Sequence, residues 1–126
     1  MRWSDSDYHA YLRRQEEKQR PRRDGSMSEA ALQEHIRALA RRFGWLVWHC
    51  YDARGSAPGF PDLVLVRAVS LSRPGRLIFA ELKTTRGKTT VTQQEWLSCL
   101  AHSVPGVEVY LWRPQDLEDI ARILTS

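Results

Sequence analysis

The chain has 126 residues, 42% of them hydrophobic and 27% charged; this balance fits one compact domain, and no apolar run approaches the roughly 20 residues that a membrane span needs. A formal charge of +4 and a pI near 9.4 favour an anionic partner without identifying one. Two cysteines, Cys50 and Cys99, are too few for a disulfide-stapled fold and lack the paired spacing of a structural zinc site, so both are expected as reduced thiols.

Residues 1–26 carry seven Arg or Lys against five Asp or Glu with few aliphatics, and read as a basic extension ahead of a domain spanning residues 27–126. Its charged opening, Met1-Arg2-Trp3-Ser4-Asp5, shows no secretory signal, which points to an intracellular, cytoplasmic protein. A helix over Asp7–Arg20, capped by Ser6 or Asp7, is compatible with the narrow stripe of Tyr8, Tyr11 and Leu12, as is disorder. The basic residues from Arg13 to Arg23 are either a solvated tail or phosphate contacts.

Ser28 is an N-cap signal, and Leu32, Ile36, Leu39, Ala40 and Phe43 recur at helical spacing until Gly44, predicting a helix over Glu29–Phe43. Trp45–His49 reads as a strand, Asp52–Gly59 as a Gly/Ser/Pro loop, and Asp62–Val66 as a second strand. Pro74-Gly75 turns the chain into a third strand, Arg76–Lys83, followed by a polar loop over Thr84–Thr92. A helix over Gln93–His102, a strand over Val107–Trp112 and a last helix from Pro114 to about Leu124 complete the order. The expected fold class is α/β: a mixed four-stranded sheet flanked by helices, in the order αβββαβ plus a C-terminal helix.

The second and third strands are apolar at successive positions, as Leu63-Val64-Leu65-Val66 and Leu77-Ile78-Phe79-Ala80 show, so ionic residues at their ends need a reason. Strand periodicity puts Glu81 and Lys83 on one face, and a hairpin would bring Asp62 beside Glu81. Two carboxylates about 4 Å apart repel by roughly 4 kcal/mol at an effective dielectric near 20, and a divalent cation turns that repulsion into attraction. A lysine beside them can stabilise the negative charge that grows during phosphodiester hydrolysis. Glu-x-Lys alone would be an ordinary exposed ion pair.

Gly59-Phe60-Pro61-Asp62 before one strand, Glu81-Leu82-Lys83 closing the next, and Gln93-Gln94-Glu95-Trp96 on the following helix together resemble the PD-(D/E)XK nuclease superfamily, and within it the VRR-NUC family. The resemblance covers about Ser28–Pro105 and implies a restriction-endonuclease-like core. It also implies that Asp62 and Glu81 hold Mg2+ or Mn2+, that Lys83 is catalytic and that Gln93 lies at the active site. An early helical Glu joins the metal ligands in that family, and Glu29 and Glu34 compete for the role. At about 100° per residue, Glu29 falls about 60° from Leu32, inside the apolar stripe, whereas Glu34 falls about 200° away and faces water. Glu29 is therefore expected as the third metal ligand, with an ordinary first-turn acid as the alternative.

Arg54, Arg86 and Lys88 flank this site and either hold the DNA backbone or are solvated loop charges. Trp45, Trp48, Trp96 and Trp112 are expected in the core, with Trp3 alone exposed. Cys99-x-x-His102 could supply half a metal site but has no partner pair in view. The resulting expectation is a metal-dependent endonuclease acting on DNA. By the resemblance, the DNA is branched, such as a Holliday junction, and the protein is a homodimer, working in the host cytoplasm if viral. A non-cleaving DNA-binding protein and an RNA-cleaving nuclease are the alternatives.

Overall fold

A computed structural model describes Ser4, Ser6, Asp7, Ala10 and Arg13, then residues 27–49 and 57–126. Most of the expected N-terminal helix, the basic cluster beyond Arg13, Trp3, Cys50 and Arg54 lie outside the described residues. At the front of the chain, Ser6 and Asp7 are already helical, and neither is the cap. Asp7 donates its N–H to the Ser4 hydroxyl, while the Ser4 N–H and hydroxyl donate to the Asp7 carboxylate, so Ser4 starts the turn.

Helix α1 spans Glu29–Arg42 and begins where Ser28 Oγ accepts the Ala31 N–H at 3.1 Å. It ends one residue before Phe43, and Gly44 at φ +85° turns the chain into β1, Leu46–His49. Strand β2 is Leu63–Arg67 and β3 is Arg76–Leu82, so Asp62 and Lys83 stand just outside the strands expected to contain them. Helix α2 covers Val91–Ser103, β4 covers Val107–Trp112, and a single 3-10 turn at Pro114–Asp116 leads into α3, Leu117–Thr125.

The sheet order is β1-β2-β3-β4, with β1, β2 and β3 successively antiparallel and β4 parallel to β3. That parallel pair requires a crossover, which α2 supplies. One face of the sheet is closed by α1 and α3. Leu32, Ile36 and Ala40 from α1 and Ile120 and Leu124 from α3 meet Leu63, Leu65, Ile78, Ala80 and Leu82 in one core, each at most 1% exposed. Complete burial of an aliphatic side chain stabilises by roughly 1.5–3 kcal/mol, which makes this face the main source of stability. Trp45 seals its edge, donating its indole N–H to the Leu124 carbonyl at 2.9 Å and lying under the guanidinium groups of Arg67 and Arg76.

The opposite face is covered less completely. Helix α2 packs against the β4 side of the sheet and has no fully buried residue. At the other edge, Leu46 is 75%, Trp48 48% and Val66 40% exposed, so the expectation that Trp48 is core is wrong. Its alternation on β1 places it on the face that α2 leaves open. Among the described residues, no helix is long and apolar enough to cross a membrane.

Candidate active site

Leu63 lies opposite Ala80 in the β2–β3 ladder, so Asp62, one residue earlier, arrives opposite Glu81. The Asp62 carboxylate continues the ladder where the β2 backbone has ended, with Oδ2 accepting the Leu82 N–H at 2.8 Å. Glu81 is only 1% exposed. Its Oε1 accepts from Gln93 Nε2 at 2.8 Å and stands 3.6 Å from Lys83 Nζ, whereas Oε2 is buried with no hydrogen-bond donor.

Electrostatics follows from that geometry. Burial, then the charge and close approach of Asp62, push the Glu81 carboxyl up to about 8; Lys83 pulls it down, and Glu29 adds to the rise. Burial also raises Asp62, although the Leu82 N–H, the contact with Glu81 and the Lys83 charge restrain the shift. Without a cation, burial therefore favours the protonated form of one of the two carboxyls. An unsatisfied carboxylate oxygen on a residue beside a second carboxyl is a donor set suited to a hard divalent cation, which takes oxygen ligands and would displace that proton. The residues present fit Mg2+ or Mn2+.

Glu29 is the first residue of α1 and is exposed, not packed in the apolar stripe. The helical angle alone places it over the core, but at the first position of the helix its side chain is exposed. Its charge reaches Glu81, yet among the described residues no three His, Cys, Asp or Glu side chains are grouped closely enough to hold a metal ion. The Glu34 side chain is 43% exposed and pairs with Arg37 at 2.6 Å. Both charges act on His49, which is 3% exposed and whose pKa is lowered to about 4 by burial first, then by Arg37, with Glu34 opposing.

Gln93 is placed by its own helix start. Thr90 caps α2, taking the Gln93 N–H on Oγ1 at 3.1 Å, while the Thr90 N–H donates to Gln93 Oε1 at 2.9 Å. With its oxygen used this way, the Gln93 amide can only present its NH2 to Glu81. Gln94 turns away to Thr89 Oγ1. Thr90-x-x-Gln93 is a capping-box pattern, a signal that could have fixed this helix start two residues before the expected Gln93.

The Gly-x-Pro-Asp segment is clamped to the same helix. Trp96 donates its indole N–H to the Pro58 carbonyl at 3.1 Å, and Phe60 meets Trp96, Phe79 and Trp48 in T-shaped contacts with centroids 5.2, 6.1 and 6.0 Å apart. Gly59, at φ +83°, passes so close to Thr92 and Gln93 that a Cβ would stand 2.6–2.8 Å from their atoms. Two motifs about thirty residues apart in sequence are thus one structural unit behind Asp62.

The loop after Lys83 presents Arg86 and Lys88 to solvent. It is held from below by Arg113, whose Nη1 donates to the carbonyls of Thr84 and Gly87 at 2.8 and 2.6 Å. Cys99 is an exposed free thiol, and His102 Nδ1 lies 2.8 Å from the Ser98 carbonyl on the same helix, so this pair assembles no metal site among the described residues.

A family model, the VRR-NUC domain, matches residues 3–115. No curated protein and no solved structure matches the chain.

Proposed function

The chain belongs to the VRR-NUC domain family, a family of nucleases, and from that membership we propose that it is a Mg2+- or Mn2+-dependent endonuclease hydrolysing DNA phosphodiester bonds. The observation that carries the metal dependence is the buried Glu81 Oε2, which lacks a donor, on a carboxyl that has Asp62 as its charged neighbour. Asp62 and Glu81 would hold the cation, with Glu29 directing its charge at them from the first turn of α1. When bound, the cation supplies Lewis acidity toward a phosphoryl oxygen and toward water.

The chain's own groups do the rest. Gln93 occupies Glu81 Oε1, which leaves Oε2 for the cation. The Lys83 ammonium, on the same strand face as Glu81, stabilises the negative charge that develops as water adds to phosphorus and the leaving oxygen departs. Arg86 and Lys88 hold flanking phosphates, and no covalent enzyme intermediate forms.

Cleavage of plasmid, single-stranded and four-way-junction DNA, with RNA alongside, tests this reading in Mg2+, Mn2+ and EDTA. Wild-type protein should cut DNA only with a divalent cation, and Asp62→Ala and Lys83→Ala should each lose about 10²-fold or more in rate. Preference for the junction, with a dimer in sedimentation, would place the protein on branched DNA. DNA binding with no cleavage under any condition would make it a non-cleaving binder.

A further inference from the structure

We infer that Trp48 is a stacking platform for an unpaired nucleobase of the strand being cut, close beside the site carboxylates; the inference rests on the nuclease reading for the identity of that strand. Trp48 pairs with Val64, two residues along β2 from Asp62. With about 3.3 Å of rise per residue and about 4.8 Å between strands, its backbone lies about 8 Å from that of Asp62, a span of two to three B-form nucleotide steps. Its contact with Phe60, which also touches Phe79, puts its ring on the sheet face that carries Glu81.

Exposure makes the ring available. Trp45 gives its indole N–H to Leu124, Trp96 gives its own to Pro58, and Trp112 is 3% exposed. Trp48 is 48% exposed, and among the described residues its indole N–H has no acceptor. Leu46 and Val66, paired across β1 and β2, extend the apolar surface away from the carboxylates. A contiguous exposed strip of this kind marks a contact surface.

A nucleobase fits better than a second protein chain for two reasons. The strip lies on the same sheet face as the site carboxylates, about 8 Å from Asp62 at Trp48, within reach of a strand whose phosphate sits on Asp62 and Glu81. The chain also has a net charge of +4, which draws a polyanion. Stacking requires a base free of its partner, so the substrate is unpaired within a few nucleotides of the cut, as at a flap, a branch or a single-stranded end.

The test measures binding of the full chain, in EDTA so that nothing is cut, to a fluorescein-labelled single-stranded oligodeoxynucleotide and to an abasic deoxyribose-phosphate strand of equal length. Phosphate charge is the same in both. Wild type should bind the base-bearing strand on the order of tenfold more tightly than the abasic one. Trp48→Leu, which keeps apolar cover over Phe60, should abolish that difference without weakening abasic binding, and Trp48→Phe should retain most of it. Equal binding of the two strands by wild type, or an unchanged preference in Trp48→Leu, overturns the inference. So does a dimer that Trp48→Leu converts to monomer while strand preference persists, which would assign the strip to a second copy. Base-dependent binding through Trp48 with no cleavage in Mg2+ or Mn2+ would sink the nuclease reading alone, whereas cleavage without Trp48-dependent preference would sink the stacking role alone.

Discussion

Replacing Gly59 by alanine tests whether the loop before Asp62 and the start of α2 are one unit. Gly59 and Gly44 have nearly the same backbone conformation, φ +83° and +85°, so the added Cβ carries the same left-handed penalty at both, about 1 kcal/mol. At Gly44 the new Cβ would meet nothing within 4 Å. At Gly59 it would stand 2.6 Å from the Thr92 carbonyl carbon, 2.7 Å from Thr92 Cγ2 and 2.8 Å from the Gln93 nitrogen, two of them backbone atoms of a capped helical turn. Overpacking of that kind costs a further 1–3 kcal/mol or so, and relief requires a shift of the turn bearing Gln93, which donates to Glu81. Urea denaturation should therefore give a loss of about 1 kcal/mol for Gly44→Ala and about 2–4 kcal/mol for Gly59→Ala, at similar m-values. Cleavage should be normal in Gly44→Ala and about 10²-fold slower in Gly59→Ala, since displacing a site group by an ångström has that scale of effect. Equal stability losses in the two variants, with wild-type cleavage in both, would refute the close approach and its role in placing Gln93.

The remaining predictions concern the charges and amides of the site. Glu81 titrates near 8 in the fold against an ordinary value of 4.5, so its contribution to stability is present below pH 4.5 and lost as pH rises toward 8. In EDTA, Glu81→Gln should thus be more stable than wild type by about 4 kcal/mol at pH 7.5, with the gap closing near pH 4.5, and added Mg2+ should stabilise wild type only. Gln93→Ala should cost about 1 kcal/mol through its capping box and slow cleavage, while Gln94→Ala should do neither. His49 works in the opposite direction from Glu81: its folded pKa, about 4 against 6.5, means stability is lost as pH falls from 6.5 toward 4. Denaturant melts of Glu81→Gln, in which the Glu81 contribution is removed, should fall by about 2 kcal/mol between pH 7.5 and pH 5, a slope that His49→Gln abolishes.

Element order and the Asp62, Glu81 and Lys83 placement were legible because each rests on a local pattern: apolar runs of strand length, Pro-Gly turns and a period of two. What was not legible depends on where an element stops relative to the core. Glu29 has the azimuth of a buried residue and the exposure of a helix end, a distinction that angle alone does not contain. Trp48 reads as core because a strand with Leu46, Val47 and Trp48 looks apolar on both faces. Only the tertiary packing reveals that α2 covers the β4 side and leaves β1 open. Gln93 carried a readable signal in Thr90, but its hydrogen bond to Glu81 depends on Gly59, Trp96 and a loop about thirty residues earlier.

The uneven covering of the sheet bears on why the carboxylates can sit where they do. A buried Glu81 facing Asp62 destabilises the cation-free fold, and a site whose binding energy goes into ordering those two carboxyls needs the rest of the domain to hold without it. Here α1 and α3 bury Leu32, Ile36, Ile120 and Leu124 completely against the far face of β2 and β3, independently of the site. The site face can then remain partly open, with α2 fixing Gln93 at one edge and Trp48 exposed at the other. A cation and a strand entering between them would add contacts to the less buried face without disturbing the core, so cation binding should raise stability and leave the sheet register unchanged.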